Sequence, residues 1–350
     1  MPDPDPHPPK SLDRYVRQIR YGPLGQEGQE RLAASRVLVC GCGALGSMLA
    51  NVLVRAGVGL VRIVDRDFVE LTNLQRQFLF DEEDAAEQLP KAVAAAGKLR
   101  KINSEVRIEA IVADVGHTNI EQLCDGIDAI VDGTDNFETR FLVNDLAVKR
   151  SIPWVYGGCL GAEGQTMTIL PGETPCLRCL MQECPPPGTM PTCDTAGILG
   201  PIVGVIASLE AVEAIKILSG RPDAISRHLT VVELWDNCIR QVDVGSLRDQ
   251  VDCPTCKRGE FPWLDGRQGS QTAVLCGRNA VQLSHPGASV SLEHLARQLE
   301  GVGQLRRNPF LLRLKVDQYE LTVFPDGRAI VGGTNDVATA RSLYAKYIGH

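Results

Sequence analysis

The chain has no apolar run long enough to span a bilayer. Its longest, Ala196 to Leu209, holds 14 residues before Glu210, Glu213 and Lys216 interrupt it, against roughly 20 for a membrane helix; it reads instead as a buried helix. Lys and Arg are scattered rather than gathered into a block, and the formal charge is -7. That removes the basic footprint of phosphate-backbone tracking and excludes nucleic acid as a partner. The opening "MPDPDPHPPK" lacks the apolar centre of a secretory signal and reads as a disordered tail over residues 1–11, so a cytoplasmic location is expected. No internal repeat is present.

What the sequence does hold is an alternation of strands and helices. After two short helical segments broken at Gly22-Pro23, "RVLVCGCG" is a continuous apolar run of the kind found in buried parallel strands. A helix over Gly46–Gly57, the strand "VRIVDRD", a helix over Pro90–Ile102 and the strand-like "VRIEAIVADV", "IDAIVDGTDN" and "IPWVYGGCLG" follow. This order predicts a doubly wound, Rossmann-like, mostly parallel sheet. From Gly164 the texture changes to antiparallel strands, interrupted by the Pro-rich loop "ECPPPGTMPTC". The stretch 264–271 reads as a linker between a main domain over 12–263 and a small α+β domain over 272–350. In the small domain a strand "TAVLC", a helix "SLEHLARQLEGV", two strands turning at Asp326-Gly327 and a final helix "DVATARSLYAKYIG" are expected.

The first chemical signal is Gly41-x-Gly43-x-x-Gly46 between a strand and a helix, where a tight turn and close backbone approach to phosphate demand residues without side chains. Asp65 ends the next strand, placed to take ribose hydroxyls. These features predict nucleotide binding without choosing between NAD and ATP. The choice comes from "FVELTNLQRQFLF": Asn73, Gln75 and Arg76 follow Asp65 closely and suit phosphate rather than a nicotinamide ring. With Lys91 at a helix start and Asp135 in "DGTDN", the set offers two cations and a carboxylate for Mg²⁺, which fits a triphosphate. Taken singly, Arg76 and Lys91 could be surface charges and Asp135 a helix cap.

Together, "RYVRQI", "GCGALGS", "VDRDFVELTNLQRQ", "DGTDN" and "TAGILGPIVGVIASLEAVEAIK" resemble the ThiF/MoeB/HesA family, bacterial relatives of ubiquitin-activating enzymes, over about residues 12–260. The resemblance implies an adenylyltransferase that uses ATP and Mg²⁺ to activate the C-terminal glycine of a small β-grasp sulfur carrier of the ThiS or MoaD kind, in thiamine or molybdopterin biosynthesis, with a sulfur-donor protein acting next. It implies that Gly43 and Ala44 line the nucleotide, Asp65 holds the ribose, and Asn73, Gln75, Arg76 and Lys91 contact phosphates. Asp135 would bind Mg²⁺ with Asn136 beside it, and Arg17 would act across a homodimer on the partner's ATP. Ala44 stands where the family commonly has Gly. The nucleophile in such a reaction is already ionised, so no general base is required, and none of the six histidines falls in a motif.

Of twelve cysteines, Cys176-x-x-Cys179 and Cys253-x-x-Cys256 form two knuckles, a four-thiolate set that predicts structural Zn²⁺ with no open coordination position. Cys193 lies just ahead of the long apolar helix, where a helix N-terminus can lower its pKa. The resemblance leaves it either linked covalently to the carrier or a bystander. Cys40 and Cys42 read as small apolar residues. The small domain has no persulfide loop around Cys276 and does not end in Gly-Gly. Two other classes compete: an NAD(P)-dependent oxidoreductase, resting on the glycines and Asp65 alone, and a zinc-stapled interaction protein with a vestigial site.

Overall fold

The computed structural model describes residues 12–185, 196–268, 272–275, 278–284, 290–337, 339, 340, 343, 347 and 348. The expected tail, Cys193, Cys276 and much of the expected last helix lie outside this set. The chain divides into two compact units: the first runs to Cys184 and resumes over Leu199–Gly266, and the second takes Pro185–Ile198 together with the chain from Arg267 onward.

The first unit is built on an eight-stranded sheet of order β3-β2-β1-β4-β5-β6-β7-β8. Its strands are β1 (Arg36–Cys40), β2 (Leu60–Asp65), β3 (Arg107–Val112), β4 (Ala129–Asp132), β5 (Trp154–Leu160), β6 (Glu163–Ile169), β7 (His228–Glu233) and β8 (Cys238–Asp243). The first five are parallel, and pairing becomes antiparallel from β5 onward. In β1, Val37, Leu38, Val39 and Cys40 are all buried, because helices or loops cover both faces of a parallel sheet. This is the doubly wound architecture that the alternation predicts.

The Ala44–Ala56 helix starts two residues before the expected Gly46, with Gly43 as its N-cap. It stops at Gly57, whose φ of +87° places it in the left-handed region and lets its N–H reach the Leu53 and Val54 carbonyls. A Cβ at Gly57 would also lie 2.5 Å from Tyr15 Cζ. The missing side chain therefore seats buried Tyr15, whose hydroxyl accepts from Asn103 Nδ2 at 2.8 Å. That wedge fixes the short Val16–Ile19 helix, which carries Arg17.

The apolar run opens a longer helix than its length suggests, Gly200–Leu218, with Pro at its start. Glu210 and Glu213, the residues that interrupt the run, face inward and are buried. Among the described residues no helix is long and apolar enough to cross a membrane.

The second unit is a six-stranded antiparallel sheet of order β11-β12-β13-β14-β10-β9. It comprises β9 (Thr272–Leu275), β10 (Ala280–Leu283), β11 (Gln304–Arg307), β12 (Leu312–Val316), β13 (Tyr319–Val323) and β14 (Ala329–Gly332), with a helix at Leu292–Gln298. Val281, Leu312, Leu314, Leu321 and Val331 form its core. The turn at Asp326-Gly327 joins β13 to β14, and a further hairpin at Asp317 joins β12 to β13. The sequence reading, with one strand at 272–275 and two turning at Asp326-Gly327, missed β10, β11 and β12. In β11 only Leu305 escapes full exposure, which leaves too little alternation to read.

Candidate functional site

The carboxyl ends of β1, β2 and β4 converge, as they do at nucleotide crevices of doubly wound sheets. Two of the three fingerprint glycines are there for packing. A Cβ at Gly41, φ +87°, would meet Gly133 O at 2.6 Å, and one at Gly46 would meet Gly41 O at 1.9 Å. The second glycine differs. A Cβ at Gly43 would find only Gln77 Nε2, at 3.9 Å. Space is thus left open over Gly43, at the start of a 13-residue helix whose unpaired N–H groups favour an anion. Ala44 is the first residue of that helix.

Asp65 ties this turn to β2. Its carboxylate accepts the Cys42 N–H at 2.5 Å and the Asp67 N–H at 2.7 Å. Burial raises its pKa, the charge on Lys91 opposes that shift, and Asp67 adds to it. Lys91 is not a surface charge. It is buried at the start of the Lys91–Ile102 helix, with Nζ 3.1 Å from Asp67 Oδ2. An isolated antiparallel bridge between Phe68 and Pro90 brings the two segments together. Cys40 and Cys42 are buried, and burial pushes both thiols far above their ordinary pKa, as their apolar reading requires.

Asn73, Gln75 and Arg76 sit on the short helical segment and turn after β2. Asn73 is buried with Oδ1 lacking a hydrogen-bond partner, whereas Gln75 is exposed. The Arg76 guanidinium donates to Thr72 O at 3.1 Å and has no carboxylate partner among the described residues. Gln77 was missed by sequence reasoning. It is buried, its Oε1 also lacks a partner, and its amide faces the open space over Gly43. The clue was its place in "NLQRQ", one turn after Asn73. The partnerless atoms are carbonyl oxygens, which accept; a polyanion is served instead by donors, the side-chain amide nitrogens of Asn73 and Gln77 and the Arg76 guanidinium.

In "DGTDN" the exposed Asp135 is not the helix cap. Asn136 is, with Oδ1 accepting the Thr139 N–H at 2.8 Å. This leaves the Asp135 carboxylate clear of capping, in the field of Arg66. Burial pulls the Arg66 pKa down, but Asp114, Asp67 and Asp135 outweigh it and hold it above its ordinary value. Behind the loop lies a buried cluster that the sequence did not disclose. Arg140 donates to Thr134 O at 2.8 Å and Gly157 O at 3.0 Å, and lies 3.4 Å from Asp132. Glu210 is wholly buried beside them, and burial together with the Asp132 charge raises its pKa well above the ordinary carboxylate value. A Cβ at Gly157 would lie 1.9 Å from Glu210 Oε1, which gives that glycine its reason. Arg17 is not brought to the cluster within one chain; it is exposed, with no ion pair among the described residues.

The two cysteine knuckles do meet. Sulfur atoms of Cys176, Cys179, Cys253 and Cys256 all lie within 4.8 Å of one another. The distances are 3.9 Å for Cys176–Cys179, 3.6 Å for Cys176–Cys253 and 3.4 Å for Cys179–Cys256. Tetrahedral zinc with Zn–S bonds of about 2.3 Å needs sulfur–sulfur edges of roughly 3.8 Å, so the set fits the ion.

Residues 15–255 match the ThiF family. The chain is 45% identical over 338 residues to the sulfur carrier protein ThiS adenylyltransferase of Bacillus subtilis, covering 96% of this chain and 99% of that protein. It is 40% identical over 248 residues to the SAMP-activating enzyme E1 of Haloferax volcanii, covering 71% and 90%. A crystal structure of Escherichia coli MccB with MccA-N7isoASN shares the fold, with a TM-score of 0.60 and 23% identity over 70% of this chain and 74% of that one.

Proposed function

We infer that this chain, which belongs to the ThiF family, is an ATP-dependent adenylyltransferase that activates the C-terminal glycine carboxylate of a small ubiquitin-like sulfur carrier. The observation that carries this reading is the end-to-end match to a ThiS adenylyltransferase, which continues past the main unit into the C-terminal one. It favours a ThiS-like carrier and thiamine biosynthesis over the molybdopterin pathway.

The chemistry is a carboxylate oxygen attacking the α-phosphorus of ATP, forming an acyl-adenylate as the bond to pyrophosphate breaks. Nucleophile and electrophile are both anionic, so the obstacle is repulsion, and the remedy is fixed positive charge in a dry site. Gly43 and the following helix start offer N–H groups to the phosphates, and Asp65 takes the ribose. Asn73 and Gln77 offer their side-chain amide N–H groups to the phosphates. Arg76 and Lys91 draw off the charge that gathers on pyrophosphate. Asp135, free of capping, is the carboxylate suited to Mg²⁺, an ion that supplies further neutralisation of the phosphates. The four cysteines hold Zn²⁺ as a closed structural site, and a free, metal-binding set of thiols suits a cytoplasmic setting.

Arg17 acts from a second copy. Its neighbours Val16 and Tyr21 are exposed apolar residues, as are Leu71 and Phe78 beside Asn73 and Arg76. A two-fold dimer laying one pair on the other buries both and carries Arg17 to the partner's nucleotide. The carrier, we propose, docks at the β7–β8 hairpin. There Trp235 and Ile239 stand 78% and 67% exposed on the edge of the sheet, an apolar patch of the kind that marks a protein contact. Cys193 is assigned a role after adenylation, as the site of a covalent link to the carrier; a sulfur donor follows.

Calorimetric titration with Mg-ATP and with NADH tests the nucleotide. Saturable Mg-ATP binding without NADH binding is expected; the reverse would restore the oxidoreductase reading.

A further inference from the structure

The nucleotide loop and the cysteine cluster are far apart in sequence, yet both are anchored on one helix, Phe137–Arg150. Its N-terminal end presents the nucleotide loop: Asp135 precedes the cap Asn136, and Arg140, one turn in, grips the Thr134 carbonyl. The next turn grips the knuckles. Asn144 Oδ1 accepts the N–H of Leu177, which lies between Cys176 and Cys179, at 2.8 Å. Asp145 accepts the hydroxyl of Thr255, which lies between Cys253 and Cys256, at 3.1 Å, and the Trp263 N–H at 3.0 Å. Both side chains are completely buried. Phe141 adds a ring contact to Trp263 at 5.6 Å between centroids.

Each knuckle is therefore fastened to the helix by its own side chain, on consecutive residues. From Asn136 to Asp145 the helix rises only about 14 Å, so the knuckle contacts and the nucleotide loop sit at the two ends of one short rigid element. Four clustered thiolates repel one another unless a cation closes them, and opening either knuckle would pull on Asn144 or Asp145. Neither residue touches the nucleotide cluster, so any influence on it passes through the helix.

We propose that Asn144 and Asp145 are positioning residues for the nucleotide site: by fastening the helix to both cysteine knuckles, they set the register in which its N-terminal end presents Asp135. The inference rests on the nucleotide and zinc readings above. It assigns the closed cysteine cluster a second consequence, the placement of the Mg²⁺-binding carboxylate.

The test uses the zinc-loaded full chain and compares wild type, Thr255→Val and Thr255→Ser. Thr255→Val removes the hydroxyl that Asp145 accepts and leaves all four cysteines, while Thr255→Ser keeps it. Zinc per chain is measured by mass spectrometry, and Kd is measured for ATP with and without Mg²⁺. Thr255→Val is expected to retain its zinc and to weaken Mg-ATP binding about tenfold, with metal-free ATP binding unchanged and Thr255→Ser restoring the wild-type value. Should Thr255→Val lose zinc, Asp145→Ala, which removes both acceptor oxygens and leaves both knuckle sequences intact, gives the comparison. Equal Mg-ATP affinity in wild type and variant, in an assay where Asp135→Ala weakens it, overturns the inference alone. So does a loss that is the same with and without Mg²⁺, which would mean general loosening. Failure of zinc-loaded wild type to bind Mg-ATP would remove the nucleotide reading and this inference with it.

Discussion

Lys91 and Asp67 form a buried ion pair, Nζ to Oδ2 at 3.1 Å, across the bridge that joins the loop after β2 to the start of the next helix. Asp67 holds the cation at the edge of the nucleotide cluster, near Asp65. Removing Lys91 takes the nearer cation from Asp67, which keeps Arg66 Nε at 3.9 Å, and the opposing charge from buried Asp65. Lys91→Ala is therefore expected to cost about 3 kcal/mol of stability as well as pyrophosphate exchange. Arg76 has no carboxylate partner among the described residues, so Arg76→Ala is expected to lose exchange by about 100-fold or more with an unchanged melting curve. Denaturant titration beside exchange rates checks both. A stable but inactive Lys91→Ala would contradict the structural half of its role.

The glycines make a separable set. Gly46→Ala has no room beside the Gly41 carbonyl and is expected to yield unfolded or aggregated protein. Gly43→Ala has room for its methyl group, so it is expected to melt like wild type and to bind Mg-ATP more weakly. Calorimetric titration decides; unchanged affinity in Gly43→Ala would mean the phosphates lie elsewhere.

Glu210 gives a pH dependence with a definite sign. Burial raises its folded pKa well above the unfolded value, so above pH ~4.3 the native chain binds more protons than the unfolded one. Its contribution to stability is then complete below the unfolded pKa and is lost as pH rises toward the folded one, by up to about 1.4 kcal/mol per unit. Glu210→Gln, neutral at every pH, is expected to remove that downward slope between pH 5 and 9. Parallel stability curves for the two proteins would mean that the buried acid is ionised with a normal pKa.

The cysteine cluster is expected to hold one zinc per chain, and Cys179→Ser to lose both metal and thermal stability. Elemental analysis with a melting curve checks this. A metal-free wild-type protein that melts normally would leave the knuckles without a staple.

Much of this site is legible in the sequence because its parts are local. The glycine turn, Asp65 at a strand end and two Cys-x-x-Cys knuckles each carry their reason within a few residues. Lys91 was open to a surface reading because its partner Asp67 lies 24 positions earlier, and only the Phe68–Pro90 bridge joins them. Asp132, Arg140 and Glu210 were invisible for the same reason: the cluster brings a strand end, a helix and a second helix together. The acids that interrupt the apolar run look like a solvent-facing break until the fold turns them inward. Asp135 and Asn136 show the limit of pattern, since either could cap and only backbone geometry assigns the cap to Asn136.

The most direct test of the account is isotope exchange of labelled pyrophosphate into ATP by the zinc-loaded protein, with a ThiS-like carrier intact or shortened by its terminal glycine. Exchange is expected with the intact carrier alone, to be abolished by Arg76→Ala and Asp135→Ala, and to need a higher carrier concentration in Trp235→Ala. Exchange that proceeds equally without carrier, or none with any β-grasp carrier ending in Gly-Gly, would contradict it.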